Sequence, residues 1–329
     1  MRHMVKFSLI AFIAVMAIAC DCLPCRRPGA KQTHTVGGVS FNLKYCPGAA
    51  IFPILPLDND TGTVTGAYWI GETEVTYELW SVVYNWATTD TGAGKRIDGG
   101  DLYHFENPGV KGNDGAAGKS ILHPVTTINC LDAMVWCNAL SEMAGFSPVY
   151  KYGANVVRDS TNTAQCDAAS ADAAANGFRL VTSLEWELAA RWRNDATNTV
   201  SGYTNPYFTK GNSASGAYTY YNDPNDINPT NGIIDGTDAN DLVAWYSYNS
   251  GGSTHEVKLK AANALGIYDM SGNVRELCFD KNPLELIMRK QKGFGWNDGA
   301  ALMQIGWYGF ILSYAEDNYT GFRFARTQL

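Results

Sequence analysis

GFRLVTSLEWELAAR, residues 177–191, joins a strand signal to a capped-helix signal within fifteen residues. Gly177 to Leu180 read as a short strand. Thr182 follows as a helix N-cap. Glu185, three residues on, completes a T-x-x-E capping box, in which the two side chains satisfy each other's backbone N–H groups. Trp186, Ala189 and Ala190 fall on one face at helical spacing and point inward. A strand running straight into a capped helix means that the chain mixes strands and helices.

The same signals recur toward the N-terminus. Val39 to Tyr45 alternates as a strand should, and Tyr68 to Val75 reads as another. Thr76 caps a helix over residues 77–86, with Trp80, Val83, Tyr84 and Ala87 on one face. Residues 88–122 are rich in Gly and Asp and read as a long loop. Asn129 is the next N-cap, with Asp132 at the third helical position. Ala133, Trp136, Cys137, Leu140 and Met143-Ala144 share the face of that helix, and Gly145 ends it. Residues 153–176 read as an insertion or hairpin loop, and 194–240 as turn-rich. Asp223, Asp226, Asp235, Asp238 and Asp241 lack the ligand spacing of an EF-hand, so a solvated loop is expected.

The chain has 329 residues, 46% hydrophobic and 17% charged, enough for one large packed domain or two. A net charge of -7 argues against a nucleic-acid partner held through phosphates. Residues 1–19 read as a leader. Arg2, His3 and Lys6 precede an apolar run, Phe7 to Ala19, too short to span a membrane. Ala17-Ile18-Ala19-Cys20 resembles a bacterial lipobox. Lipidation of Cys20 would anchor the chain to a membrane, outer membrane or cell surface, without a spanning helix; the alternative is a plain secretory signal. Residues 20–38 read as a tether, in which Cys22 and Cys25 form an incidental CxxC. The globular domain then covers 39–329.

Gly293 to Arg326, GFGWNDGAALMQIGWYGFILSYAEDNYTGFRFAR, closes the chain. Its ends read as β structure. Its middle crowds Trp307, Tyr308, Phe310, Ile311, Leu312, Tyr314 and Tyr319 among Gly and Ser, and fits neither a 3.6- nor a 2-residue period. That mixture suits a recognition surface, where aromatics give contact area at low entropy cost and small polar residues adapt. The plainer alternative is that these aromatics are core.

Four segments in order resemble the formylglycine-generating-enzyme-type (sulfatase-modifying-factor) domain, a version of the C-type lectin fold. They are YWIGETEVT (68–76), HPVTTINCLDAMVWCNALSEMAGFSPVY (123–150), GFRLVTSLEWELAAR (177–191) and AWYSYNSGGSTHEVKLKAANALGIYDMSGNVREL (244–277); the closing GFRFAR (321–326) fits too. The resemblance implies one α+β domain, with a twisted antiparallel sheet, flanking helices, long ordered loops and pairing of the N- and C-terminal strands. Such enzymes oxidise a substrate cysteine with a late pair of reactive cysteines. Here no cysteine follows Cys278. An iron-dependent branch needs three clustered histidines, and His3, His34, His104, His123 and His255 are scattered. No GxSxG, P-loop or HExxH occurs either. Cys130 and Cys137 read as packed; pairing among Cys46, Cys166 and Cys278 is open.

The resemblance also implies a calcium site. Asp269 and Glu276 would give carboxylates, and Gly272 and Val274 carbonyls. Arg275 stands where the family usually has Trp. The other reading makes Ser271-Gly272-Asn273 a tight turn and pairs Glu276 with a cation. No further cofactor is expected. A subset of the family are variable proteins of diversity-generating retroelements, in which a fixed lectin-type scaffold carries a rewritten C-terminal segment. The frame of such a segment is visible in 296–300, 304–306 and 321–323. This places a variable, ligand-binding segment at about 293–320, with Phe294, Trp296, Asp298, Ala301, Leu302, Trp307, Tyr308, Phe310, Ile311, Tyr314, Asp317 and Tyr319 as its contact residues. The expected function is non-catalytic binding of a protein or other surface ligand by a surface lipoprotein. The alternatives are a related oxidoreductase or a structural envelope lipoprotein.

Overall fold

A computed structural model describes residues 26–48, 50–221 and 237–328. The leader, Cys20, Cys22, Cys25 and Asp223, Asp226 and Asp235 lie outside the described residues.

The strands come in chain order as β1 (Lys31–Val36), β2 (Val39–Cys46), β3 (Ala50–Ile54), β4 (Asp60–Val64) and β5 (Tyr68–Gly71). Helices α1 (Tyr77–Thr88) and α2 (Cys130–Met143) follow, then β6 (Phe178–Leu180) and α3 (Ser183–Arg191). The C-terminal part holds β7 (Arg275–Lys281), β8 (Met288–Lys292), β9 (Gly309–Leu312), β10 (Thr320–Gly321) and β11 (Phe324–Thr327). A five-stranded antiparallel sheet runs β1-β2-β5-β11-β6. A four-stranded sheet runs β9-β8-β7-β10, antiparallel except for the parallel pair β7·β10.

The central strands are buried on both faces, and alternation decides which core each side chain joins. Trp69 and Phe324 face α1 and α2, whereas Tyr68, Ile70 and Ala325 face α3 and the β3–β4 hairpin. In the first core the Trp80 and Trp136 rings stack at 5.8 Å, and Phe322 meets both edge-on. α2 is buried on nearly every side, because the sheet, α1 and the 150–180 region enclose it. The three caps form as the sequence implies. The Thr76 side chain accepts from Leu79 N–H, and Asn129/Asp132 and Thr182/Glu185 both complete capping boxes.

Two expectations are corrected. Residues 31–36 are not tether: they form the edge strand β1, paired along its length with β2. Their exposed face of Lys and Thr hides the strand from a hydrophobic reading. Nor do the N- and C-terminal strands pair directly. β5 lies between them, bonded to β2 on one side and β11 on the other.

A buried ion pair ties the two sheets together. Arg323, between β10 and β11, donates to Glu276 of β7 at 2.5 Å (Nε to Oε2) and 2.6 Å (Nη2 to Oε1), and both residues are fully buried. Trp186 of α3 donates to the same carboxylate at 2.7 Å. The remaining guanidinium hydrogens reach the carbonyls of Gly71, Tyr268 and Asp269. Removing one partner of a satisfied buried pair strands the other charge. Arg323→Met is therefore expected to cost about 3–5 kcal/mol in urea unfolding; a loss below about 1 kcal/mol would count against this role.

Candidate functional site

Segment 293–320 leaves β8, passes through a one-turn 3-10 helix (Ala300–Leu302), adds β9 to the sheet edge and returns at β10. Its backbone is tied to fixed elements along its length. Gly272 N–H donates to Gly293 O, Trp296 N–H to Asn273 O, and Arg275 N–H to Tyr319 O. Thr127 N–H reaches Asp317 O and Cys130 N–H reaches Ser313 O, which pins the far turn to the start of α2. Peptide hydrogen bonds do not depend on side-chain identity, so such ties hold the course of the segment whatever residues it displays.

The twelve expected contact residues separate by burial. Trp307, Tyr308 and Tyr314 are 44%, 41% and 45% exposed, and Ala301 is exposed as well. Phe310 is half-buried and meets the Tyr308 ring edge-on at 5.5 Å. Phe294 and Leu302 pack partly on a small cluster around Met303 and Tyr246, and Ile311 packs partly on the main core. Trp296 is half-buried, with Nε1 donating to Asn318 O at 3.4 Å. Asp317 and Tyr319 are half-buried too, and the Asp317 carboxylate accepts from Tyr319 N–H. The middle of the segment, expected to lack a regular period, contains β9; its four residues are all half-buried, so no alternation is left to read.

Asp298 is a correction. It is 7% exposed and faces inward. Its carboxylate accepts from Arg275 Nε at 2.9 Å, Arg275 Nη2 at 2.6 Å and Gly295 N–H at 2.8 Å. It therefore locks the turn rather than meeting a ligand. The same pair accounts for Arg275, which also lies 4.6 Å over the Tyr319 ring and 5.5 Å over Phe294. Arg275 is thus a positioning residue that sequence reasoning passed over.

A second missed element is the β3–β4 loop. Leu55, Pro56, Leu57 and Asn59 line one side of an open depression of about 580 Å³, and Gln304, Gly306, Trp307 and Tyr308 line the other. Nothing local marks this loop, because its partner lies some 250 residues on. Tyr314 sits at the opposite end of β9.

The calcium set does not fit. Both Glu276 oxygens are taken by Arg323 and Trp186. Asp269 Oδ2 accepts from Lys258 N–H, leaving Oδ1 as an orphaned buried oxygen. Gly272 (φ 80°) and Asn273 (φ 61°) form a left-handed turn so close to Trp245 that a Cβ at 272 would lie 2.2 Å from its carbonyl oxygen. This is the tight turn with Glu276 paired to a cation, and the cation is Arg323. Among the described residues no three His, Cys, Asp or Glu side chains converge to hold a metal. Burial pushes the Glu74 and Asp269 carboxyls up.

The described thiols are packed. Cys46, Cys130, Cys137, Cys166 and Cys278 are buried and unpaired. Burial pushes Cys46 and Cys166 up to about 12 and Cys130 up to about 11, so at neutral pH they carry no nucleophilic thiolate. His123 bonds Thr254 Oγ1, and His255 stacks on Trp245 at 3.7 Å and bonds Ser250 O. Both histidines have structural partners. No described helix is long and apolar enough to cross a membrane.

Against known proteins, the model of the sulfatase-modifying factor enzyme 1-like domain matches residues 56–328. The chaperone protein LppX of Paenibacillus barcinonensis is 27% identical over 94% of this chain and 93% of its own. Treponema denticola variable protein 1 superposes with a TM-score of 0.62 at 27% identity, covering 91% of this chain and 99% of that one. CarF (TM-score 0.63, 22% identity, covering 88% and 99%) and PvdO of Pseudomonas aeruginosa (0.55, 15%, covering 92% and 100%) share the fold. The α+β, C-type-lectin-type architecture is thus established. Because Arg323 and Trp186 already take both Glu276 oxygens, adding millimolar calcium or a chelator should move the Tm by less than about 1 °C; a rise of several degrees with calcium would restore the metal reading.

Proposed function

The chain belongs to the sulfatase-modifying factor enzyme 1-like family, and from that footing we propose that it is a non-catalytic, ligand-binding member. In this reading Cys20 carries lipid, the domain stands at the cell surface, and the segment at about 293–320 is diversified by a retroelement. One observation carries the proposal: Trp307, Tyr308 and Tyr314 stand exposed on a backbone that fixed elements hold in place. Large rigid side chains on a pre-ordered backbone lose little entropy on binding, which is how hot spots arise. Replacing them leaves the two cores intact, so partners change while the fold persists.

Likeness to a Treponema denticola protein named for its variability supports diversification. The partner is a protein or another surface ligand rather than a nucleic acid, in keeping with a net charge of -7. A relative named as a chaperone favours protein. The buried, protonated thiols speak against the oxidoreductase alternative.

The double variant Trp307→Ala/Tyr308→Ala should shift the Tm by no more than about 2 °C, the size of a 1 kcal/mol effect in a chain this long, while binding of the protein or other surface ligand is lost. A collapse in Tm would make these residues core. At the gene level, diversification requires a downstream near-copy of the 3′ end that differs at adenines, beside a reverse-transcriptase gene. Its absence would remove diversification and leave the binding face.

A further inference from the structure

The β3–β4 loop is built more firmly than an ordinary hairpin turn needs. Leu55 N–H donates to Glu187 Oε1 at 3.1 Å, and Arg191 Nη2 donates to Leu55 O at 2.8 Å. Arg191 Nη1 reaches Asp58 Oδ1 at 2.5 Å, and the same oxygen accepts from Gly211 N–H. The other Glu187 oxygen accepts from Lys292 Nζ at 2.8 Å, and Lys292 also donates to Ile305 O at 2.9 Å. Arg191, Glu187 and Lys292 are each at most 4% exposed. One buried network therefore holds the loop through Arg191 and, through Lys292, the backbone two residues before Trp307.

Two further features fix the distance between these sides. Gly306 lies so close to the loop that a Cβ there would sit 2.3 Å from the Leu55 carbonyl carbon. Leu55 (φ 70°) and Asp58 (φ 55°) adopt left-handed backbone that side chains other than glycine rarely take, and the network keeps them there. Yet Leu57, at the tip, is 78% exposed. A strained, anchored loop that holds a bare leucine opposite exposed aromatics has the form of a pre-organised contact.

We propose that Leu55–Asn59 is the fixed jaw of a two-jawed cleft, with Trp307 and Tyr308 as the other jaw, and that the cleft takes one large uncharged apolar side chain of an extended polypeptide. This rests on the reading of the aromatic face as a binding surface and names its ligand class. The side-chain chemistry follows from the lining. Pro56, Leu57 and the two aromatics supply apolar contact, Asn59 and Gln304 supply amides, and no ionised side chain lines the cleft to hold a charge. The polypeptide follows from β9, which starts one residue after Tyr308. It is an edge of its sheet, paired among the described strands with β8 alone, so its outward N–H and C=O groups, apart from Leu312 O, which accepts from Ala315 N–H, suit an added strand. A chain paired along β9 passes the cleft and sends one side chain into it.

Short linear peptides displayed on phage, selected on the full chain, test this. The recovered peptides should share one Leu, Ile, Phe or Trp position within strand-forming sequence. Their affinity should fall about tenfold or more for Leu57→Asp and for Trp307→Ala, the loss of a single hot spot. Leu57→Asp should keep the wild-type Tm because Leu57 is exposed. N-methylation of alternate peptide nitrogens should weaken binding in one register. Peptides that bind Leu57→Asp at wild-type strength but lose Trp307→Ala overturn the fixed jaw and leave the aromatic-face reading standing. Insensitivity to both variants overturns both. Failure to recover any peptide, no effect of N-methylation, or Leu57-dependent capture of arrayed glycans or lipid vesicles instead, overturns the polypeptide assignment.

Discussion

The carboxylate of Glu276 and the guanidinium of Arg323 meet where water does not reach, and the architecture depends on how completely they satisfy each other. Burying two charges costs several kcal/mol apiece unless hydrogen bonds replace their hydration. Here the replacement involves Trp186 of α3 and the carbonyls of Gly71, Tyr268 and Asp269. These groups come from the main sheet, the helix behind it, the 268–269 turn and the C-terminal sheet. No single element supplies the site, so the pair forms only when all four are in place. The same guanidinium takes the Glu276 oxygens that the expected calcium site would need.

That anchor lies only three residues beyond Thr320, where the displayed segment ends. The segment's other end is held by Gly293 and by the Arg275–Asp298 clamp. Lys292 and Glu187 hold its middle from beneath. Inward side chains and backbone do the holding, and outward side chains are left to make contacts. The separation of these two tasks is what lets a face change its chemistry without loosening the domain. Two charged pairs beneath this segment, Arg275–Asp298 and Lys292–Glu187, act as fasteners.

Much of the frame could be read along the chain because its signals are local. Thr76, Asn129 and Thr182 mark helix starts through groups three residues away, and all three form as expected. The family resemblance rests on segments that are contiguous in sequence. What could not be read depends on distant partners. β1 has a polar face and is a strand only because β2 covers its hydrogen bonds. Asp298 looks like a polar loop residue until Arg275 is found beside it. The calcium set had suitable oxygens in a suitable order, but Arg323, some fifty residues on, had already engaged both oxygens of Glu276. The Leu55–Asn59 loop carries no motif at all; its meaning comes from Arg191 and Trp307.

A rigid frame holds Trp307, Tyr308 and Tyr314 in water while the large aromatics of the cores stay dry. Hydroxyl-radical footprinting with mass-spectrometric readout tests it residue by residue in the native protein. The account predicts rapid oxidation of these three, with Trp80, Trp136 and Trp186 protected until the protein is unfolded. Protection of Trp307 and Tyr308 equal to that of Trp136 would contradict it.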